Sequence, residues 1–440
     1  MKTLLALLLL PATAQAATVS DWPLPVPAGS AQPNLSLSPD GDRLLSWIER
    51  RKEGGHRLVF ARQGNTQKWS APRTITEGDN WFVNWADFPA LQALPDGSLW
   101  AHTLVKSAQA TYAYDVRLFA SRDGGTTWTA TAAVHDDGTP TEHGFASLWP
   151  QGRDGLGIAW LDGRHTGGGH DHGGHGGAGA MSLRAAVFGA DGKKRVEHEL
   201  DARTCDCCQT DAALSDDGLL LAYRDRAEGE IRDIAVARFD GKAWSAPVTV
   251  HADRWMMPAC PVNGPAIAAR GRQAWVAWYT AAGGMPSIRI AASDDAGRRF
   301  GPMKEIARGE AQHGRVDLAA NATGVWVSWL QESAGRQSVW LARYSPDLAA
   351  EHFRLKVADL TGRGRGTGFP RLQLGDGSAW LAWTEIVSGE PRLRGPGSAP
   401  DCTQWYGIGL WIMVMPPHRT LVRRDKAAAQ GEGAAPAQAR

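Results

Sequence analysis

From residue 34 to residue 383 the chain repeats one pattern: an extended stretch, a turn such as Asp-Gly, and an apolar run that contains or ends in an aromatic residue. The seven copies are Asn34–Trp47, Ala90–His102, Ala146–Trp160, Asp211–Tyr223, Ala266–Trp278, Asp317–Trp329 and Arg371–Trp383. Their closing residues stand 51 to 63 positions apart. One four-stranded blade of a β-propeller takes roughly 40–60 residues, so the spacing predicts one blade per copy. Behind the first six copies comes a second pair of strands, clearest over 56–72, 115–130, 231–247 and 287–302. Each complete unit then supplies four strands, a to d, and the fold class is all-β, a seven-bladed β-propeller.

The seventh copy has strands a and b and a short c strand at Glu390–Arg394, but no d strand of its own. The segment Asp21–Pro27 resembles the d strands that begin at Trp69 and Trp244. It is therefore expected to complete the last blade and close the ring without an open edge.

Ser121-Arg-Asp-Gly-Gly-Thr-Thr-Trp128 matches the box S-x-D-x-G-x-[ST]-W in full, and Ser293-Asp-Asp-Ala-Gly-Arg-Arg-Phe300 matches it loosely. On Ser121, Asp123, Gly125, Trp128, Ser293, Asp295, Gly297 and Phe300 the chain resembles the BNR or Asp-box repeat superfamily, which includes sialidases and many non-enzymatic propellers. The resemblance spans about residues 21–394. It implies that each box is a structural turn between strands c and d, with Asp and Ser satisfying backbone donors, the ring packed between blades, and the turn facing away from the active mouth. Sialidases have six blades, so a six-bladed propeller is the alternative.

Composition narrows the picture. With 47 basic and 46 acidic residues the chain has no polyanion-binding signature, and nucleic acid is not an expected partner. Gly (51) and Trp (20) are both abundant, which suits short strands between tight turns. Residues 1–16 read as a signal peptide: Lys2, an apolar core from Leu4 to Leu10, then Ala14-Gln15-Ala16. Export to the periplasm or beyond is expected, with the propeller over 17–400. No later run reaches the ~18 apolar residues of a membrane helix. An atypical tail covers 401–440: 405–416 is apolar, and 425–440 is rich in Ala, Gly and Gln and expected to be disordered. The stretch after about Gly395 either adds a strand, packs as a plug, or does not continue the last blade natively.

Candidate chemistry gathers on the d-to-a and b-to-c connections, which open on one face of a propeller. Arg203-Thr-Cys-Asp-Cys-Cys-Gln-Thr-Asp211 carries three of the five cysteines and enters the fourth copy. Cys260 precedes the fifth copy, His313 and Arg315 the sixth, and His143 the third. The loop within the third unit carries His165, His170, His172 and His175 among glycines. Thiolates with imidazoles nearby are what soft or borderline metals take, so Cys205, Cys207, Cys208, Cys260, His165, His170, His172, His175 and His313 are candidate ligands for copper or zinc. In an extended segment Cys205 and Cys207 share a side and Cys208 faces away. After export, a staple from Cys205 or Cys208 to Cys260 is an equal reading, and inert thiols a third.

The sialidase resemblance implies an arginine cluster, a Tyr nucleophile with a Glu partner, and an Asp acid/base. The family's Phe/Tyr-Arg-Ile-Pro segment is absent near the first unit. Asp211 and Asp317 stand at equivalent places, and Arg315, Arg371 and Tyr223 are the residues that could join them; a polar channel produces the same pattern. Three functions follow: an exported metal-binding or thiol-redox propeller, a sialidase-like glycosidase, or a non-catalytic interaction scaffold. No nucleotide cofactor is expected, the protein is expected to be a monomer, and its partner at the mouth is a metal, a small ligand or a protein.

Overall fold

The computed structural model describes residues 17–167, 179–375 and 378–394, together with the backbone of Ile408–Met413. Segment 1–16, expected to be a signal peptide, His170, His172, His175, Cys402 and the tail after Met413 lie outside the described residues. Six four-stranded antiparallel sheets and one sheet of five strands, two of them sharing one position, form the seven blades. Their innermost strands are Ser30–Leu37, Leu91–Ala93, His143–Gln151, Asp211–Ser215, Ala266–Arg270, Gln312–Asn321 and Gly368–Gly375. Among the described residues no helix is long and apolar enough to cross a membrane.

The repeat arises because strand b is covered on both faces by neighbouring blades, so it must be apolar throughout. In blade 3 strand b, Gly155–Asp162, is buried along its whole length, whereas strand d, Lys194–Asp201, is largely open to solvent. The rings that close strand b are all buried: Trp47, Trp160, Tyr223, Trp278, Trp329 and Trp383 are at most 1% exposed. They form the cores between blades, as where Trp160 meets Trp100 and Tyr114 of blade 2.

The last blade closes as expected in principle and differently in detail. Its sheet runs in the order Thr18–Pro23, Ile408–Met413, Glu390–Arg394, Ser378–Val387, Gly368–Gly375. Glu390–Arg394 pairs with one half of strand b, and Ile408–Met413 pairs with the other half, at Ser378 to Leu381. The c position is thus shared by two collinear pieces. The N-terminal strand Thr18–Pro23 then takes the d position against Ile408–Met413. The stretch expected to lie beyond the propeller at residue 400 therefore contributes a strand to it. Trp22, Leu24 and Val26 pack with Trp47 and Trp380, joining blade 7 to blade 1.

Two devices at the inner strands shape the centre. Four a strands carry a bulge at their start, between Ala31 and Asn34, Gly144 and Ser147, Gly314 and Asp317, and Gly368 and Arg371. At each bulge a non-glycine residue is in the left-handed region: Gln32, Phe145, Arg315 and Phe369. Side chains also tie one blade to the next: Asn34 accepts from the Leu91 N–H, Asp87 from Phe145, Asp211 from Ile267 and Asp317 from Leu372, at 2.7–3.0 Å.

Candidate functional site: a thiol cluster at the propeller mouth

A cavity of 790 Å³ opens where the connections converge. It is lined by Trp85 before blade 2, Tyr112 in the b-to-c loop of that blade, Glu142, Cys207, Cys260, His313 and Arg315, and by Arg363 and Arg365 before blade 7. Every one of these comes from a d-to-a or b-to-c connection, or from the strand ends beside them. The boxes are at the opposite end. Arg298 of the second box pairs with Asp217 in the a-to-b turn of blade 4, at 2.6 Å.

The cysteine stretch is pinned on either side of Cys207 and Cys208. Thr204 donates its backbone N–H to Met181 of blade 3, and Cys205 donates its own to Arg224 of blade 4. Asp206 pairs with Arg226 at 3.2 Å. Gln209 reaches both ways, donating to the Ala86 carbonyl and accepting from the Gly264 N–H. Thr210 donates to the Phe145 carbonyl. A turn at Asp206 and Cys207 replaces the expected extended backbone. For that reason Cys208 does not face away: the sulfurs of Cys205, Cys207 and Cys208 all lie within 4.8 Å of one another.

Cys205, Cys207 and Cys208 are buried, and no disulfide joins them. The Cys205 and Cys208 sulfurs are 2.8 Å apart, longer than the ~2.05 Å of a disulfide. Cys260, half-buried, adjoins Cys207 across the blade boundary. The expected staple between Cys260 and Cys205 or Cys208 is thus not formed; the neighbours are Cys205 with Cys208 and Cys207 with Cys260. Burial pushes the Cys205 thiol up to about 12 and the Cys207 thiol well above its usual range. Burial opposes ionisation of Cys208 too, but hydrogen bonds from Cys205 and Cys207, the Arg224 charge and the Asn263 backbone outweigh it, and its pKa falls well below 9.0. The cluster favours one thiolate, held by two thiols.

Two buried guanidiniums face this sulfur group. Arg224 spends its hydrogen bonds on the carbonyls of Asn263, Arg232 and Tyr279, none of them a carboxylate. Arg232 binds Glu230 through one nitrogen, while its Nε and Nη1 are buried without a hydrogen bond. Positive charge beside buried sulfur stabilises thiolate.

The other candidate residues are divided. His313 lies on the cavity wall, 3.2 Å from Glu332. His165 is exposed in its loop and does not line the cavity. Asp211, Asp317 and Arg371 line a narrower central channel of 290 Å³. Each Asp is committed to two backbone N–H groups, one of them on the next blade. Burial, with Asp317 nearby, raises Asp211 to about 7. Tyr223 borders neither space; its hydroxyl binds Asp201 at 2.6 Å on the outer strand of blade 3. The five residues therefore do not assemble one catalytic group, because inner-strand carboxylates serve as ties between blades.

A different acid pair escaped the sequence reading. The Tyr114 hydroxyl sits 2.7 Å from Glu142 and 2.9 Å from Asp87, all three buried. Gly144 makes this possible, since a Cβ there would meet the Asp87 carboxylate at 2.0 Å. Beside it Arg315 stacks over Trp85 and Phe369 at 5.1 Å from each ring. Its Nη1 is buried without a hydrogen bond, and burial with Arg365 nearby lowers its pKa to about 10. The recurring bulge places Phe145 and Arg315 at equivalent positions.

No protein-family model matches the chain, and no curated protein matches it. Solved structures similar in shape include the polysaccharide lyase Uly1, at 10% identity and TM-score 0.49 over 89% of this chain and 91% of that one. A Penicillium chrysogenum alpha-L-arabinanase is 12% identical at TM-score 0.46, over 92% and 99%. The NanB sialidase from Streptococcus pneumoniae is 10% identical at TM-score 0.43, over 92% and 71%. Likeness at this level carries no argument about chemistry, and the propeller fold rests on the seven sheets themselves.

Proposed function

We propose that this protein is an exported propeller that holds a soft metal ion, copper(I) before zinc(II), on Cys205, Cys207 and Cys208, with Cys260 beside them. The observation that carries this reading is the convergence of three buried sulfurs within 4.8 Å. A shared thiolate metal with bonds of ~2.3 Å separates its sulfurs by about 3.5–4 Å, so small side-chain rotations suffice. Soft sulfur donors select Cu(I) and Zn(II) over harder ions. Arg224 and Arg232 offset the negative charge that such a site gathers. The 2.8 Å contact also suits Cys205 and Cys208 to give up two electrons and two protons to an external oxidant such as a disulfide, so metal binding and thiol oxidation would compete at one place. The apolar segment 4–10 with its small-residue cleavage pattern supports export.

The test is metal analysis of the chain purified under reducing conditions and reconstituted with Cu(I) or Zn(II). About one ion per chain is expected, lost on replacing Cys205, Cys207 and Cys208 with Ser. A chain that retains neither ion after reconstitution ends this reading. The two box turns, with Asp123 accepting from the N–H groups of Thr126 and Thr127 and Asp295 from that of Arg299, support kinship with Asp-box propellers.

A sialidase-like glycosidase is the second reading, favoured by the Tyr114–Glu142 pair beside Arg315, Arg363 and Arg365 in one cavity. Against it, burial and the two carboxylates raise the Tyr114 pKa, which makes its phenol a donor rather than a nucleophile. Release of fluorophore from a fluorogenic sialoside, abolished by Tyr114→Phe, would decide for the glycosidase.

A further inference from the structure

Between blades 2 and 3 lies a second polar cluster that none of the above uses. Its members are Asp115 on strand c of blade 2 (Tyr114–Ser121), His135 and Asp137 in the connection to blade 3, and His143 at the start of strand a (His143–Gln151). The chain alternates here: Glu142 faces the mouth cavity, and His143 turns into the blade boundary. Asp162 completes the wall but is spoken for. It receives two hydrogen bonds from the Arg164 guanidinium at 2.7 Å and one from Trp160 at 2.8 Å.

The orientation of the two imidazoles is informative. Asp137 Oδ1 lies 3.0 Å from His135 Nδ1, which fixes the tautomer and turns His135 Nε2 toward Asp115, 3.7 Å away. A carboxylate on the far nitrogen is the usual second partner of a metal-binding histidine. His143 is fully buried, and neither of its ring nitrogens makes a hydrogen bond. Its Nδ1 stands 4.0 Å from the same Asp115 oxygen, and its Nε2 stands 3.3 Å from Asp137. Leaving a buried imidazole without a formed hydrogen bond is costly, on the order of 1–3 kcal/mol. Asp115, its side chain 16% exposed, accepts from the Arg117 guanidinium at 2.9 Å through Oδ2 and keeps Oδ1 toward the two histidines.

We propose that Asp115, His135 and His143 bind a divalent cation of the Mn(II), Fe(II) or Zn(II) kind, with Asp137 orienting His135. Two imidazoles and one carboxylate offer ligand atoms within 4.8 Å of one another, and this donor chemistry suits borderline and harder ions, unlike the thiol cluster. The rings now stack with centroids 3.6 Å apart and planes 5° from parallel. Nitrogen lone pairs lie in the ring planes, so sharing an ion requires the stack to open. That tilt belongs to the prediction.

The probe is Mn(II), which thiolates bind poorly, titrated into the whole chain and followed by the electron paramagnetic resonance of free ion. One ion per chain is expected. Asp115→Asn and His135→Asn should each weaken it at least tenfold, while Glu199→Gln, on the exposed outer strand, should leave it unchanged. In the unmutated protein Mn(II) should broaden the ring signals of His135 and His143, a readout that does not depend on either variant folding. No bound Mn(II) would overturn the proposal. Binding that survives both variants, or that broadens the histidines of the 165–175 loop instead, would overturn it equally.

Discussion

Tyr114 has one hydroxyl hydrogen and two carboxyl groups within reach of it, so Asp87 and Glu142 cannot both accept from it. One carboxyl must carry a proton and donate to the phenol oxygen. Burial raises Asp87 from 3.8 to about 7 and Glu142 well above its usual range. The folded chain then holds a proton that the unfolded chain releases near pH 4. Stability should fall as pH rises from about 4 to about 7 and remain at the lower level above, by up to a few kcal/mol for this group. Asp87→Asn keeps the acceptor for Phe145 and supplies a permanent donor to Tyr114. Urea unfolding from pH 5 to pH 8 should show a smaller loss of stability in the variant than in the parent, and equal slopes would refute the shared proton. A carboxylate tie of this kind is hard to read from sequence, because Asp87, Tyr114 and Glu142 sit in three connections and strand ends with no common spacing.

Turns and strands test the scaffold element by element. In the first box Ser121 accepts from the Gly125 N–H and Asp123 from those of Thr126 and Thr127. Gly124 and Gly125 both have positive φ, but only at Gly125 would a Cβ strike a neighbour, Phe60 at 2.2 Å. Gly125→Ala should therefore destabilise the protein clearly more than Gly124→Ala, which carries the backbone strain alone. Comparable unfolding midpoints for the two would contradict the packing account. The N-terminal strand makes a similar argument. Trp22 donates to Gln63 of blade 1 and packs 4.7 Å from Trp380 of blade 7. Trp22→Ala should cost ~3–5 kcal/mol in urea unfolding, as for other buried Trp truncations. The resemblance of Asp21–Pro27 to other d strands was enough to foresee that the N-terminal segment completes the last blade, though the strand itself is Thr18–Pro23. The split c strand was not foreseeable, since Glu390–Arg394 and Ile408–Met413 are collinear only because strand b is long enough to pair with both.

At the scale of the ring, repetition made the architecture readable: seven closing residues at near-even spacing can be counted without knowing any contact. Which face each connection opens on followed from the strand order, and Cys207, Cys260 and His313 do line one cavity. What could not be read was direction within a loop. The turn at Asp206 and Cys207 brings Cys208 inward, and the inter-blade ties use up Asp211 and Asp317. The same geometry links metal binding to stability. The thiol loop is anchored to blade 3 through Thr204 and Met181, to blade 4 through Cys205 and Arg224, and to blade 5 through Gln209 and Gly264. An ion held there would brace a loop that is anchored to three blades, and it would stabilise the fold to the extent that it binds the ordered sulfurs more tightly than the same four-residue segment in the unfolded chain. Binding to the native state alone stabilises by ~2.7 kcal/mol at a free ion concentration one hundred times Kd. Cu(I) should therefore raise the thermal midpoint of the parent, a copper(I) chelator should reverse the shift, and the protein with Ser at 205, 207 and 208 should not respond. If that variant gains as much from Cu(I) as the parent does, the stabilising ion sits elsewhere and the thiol cluster is not its site.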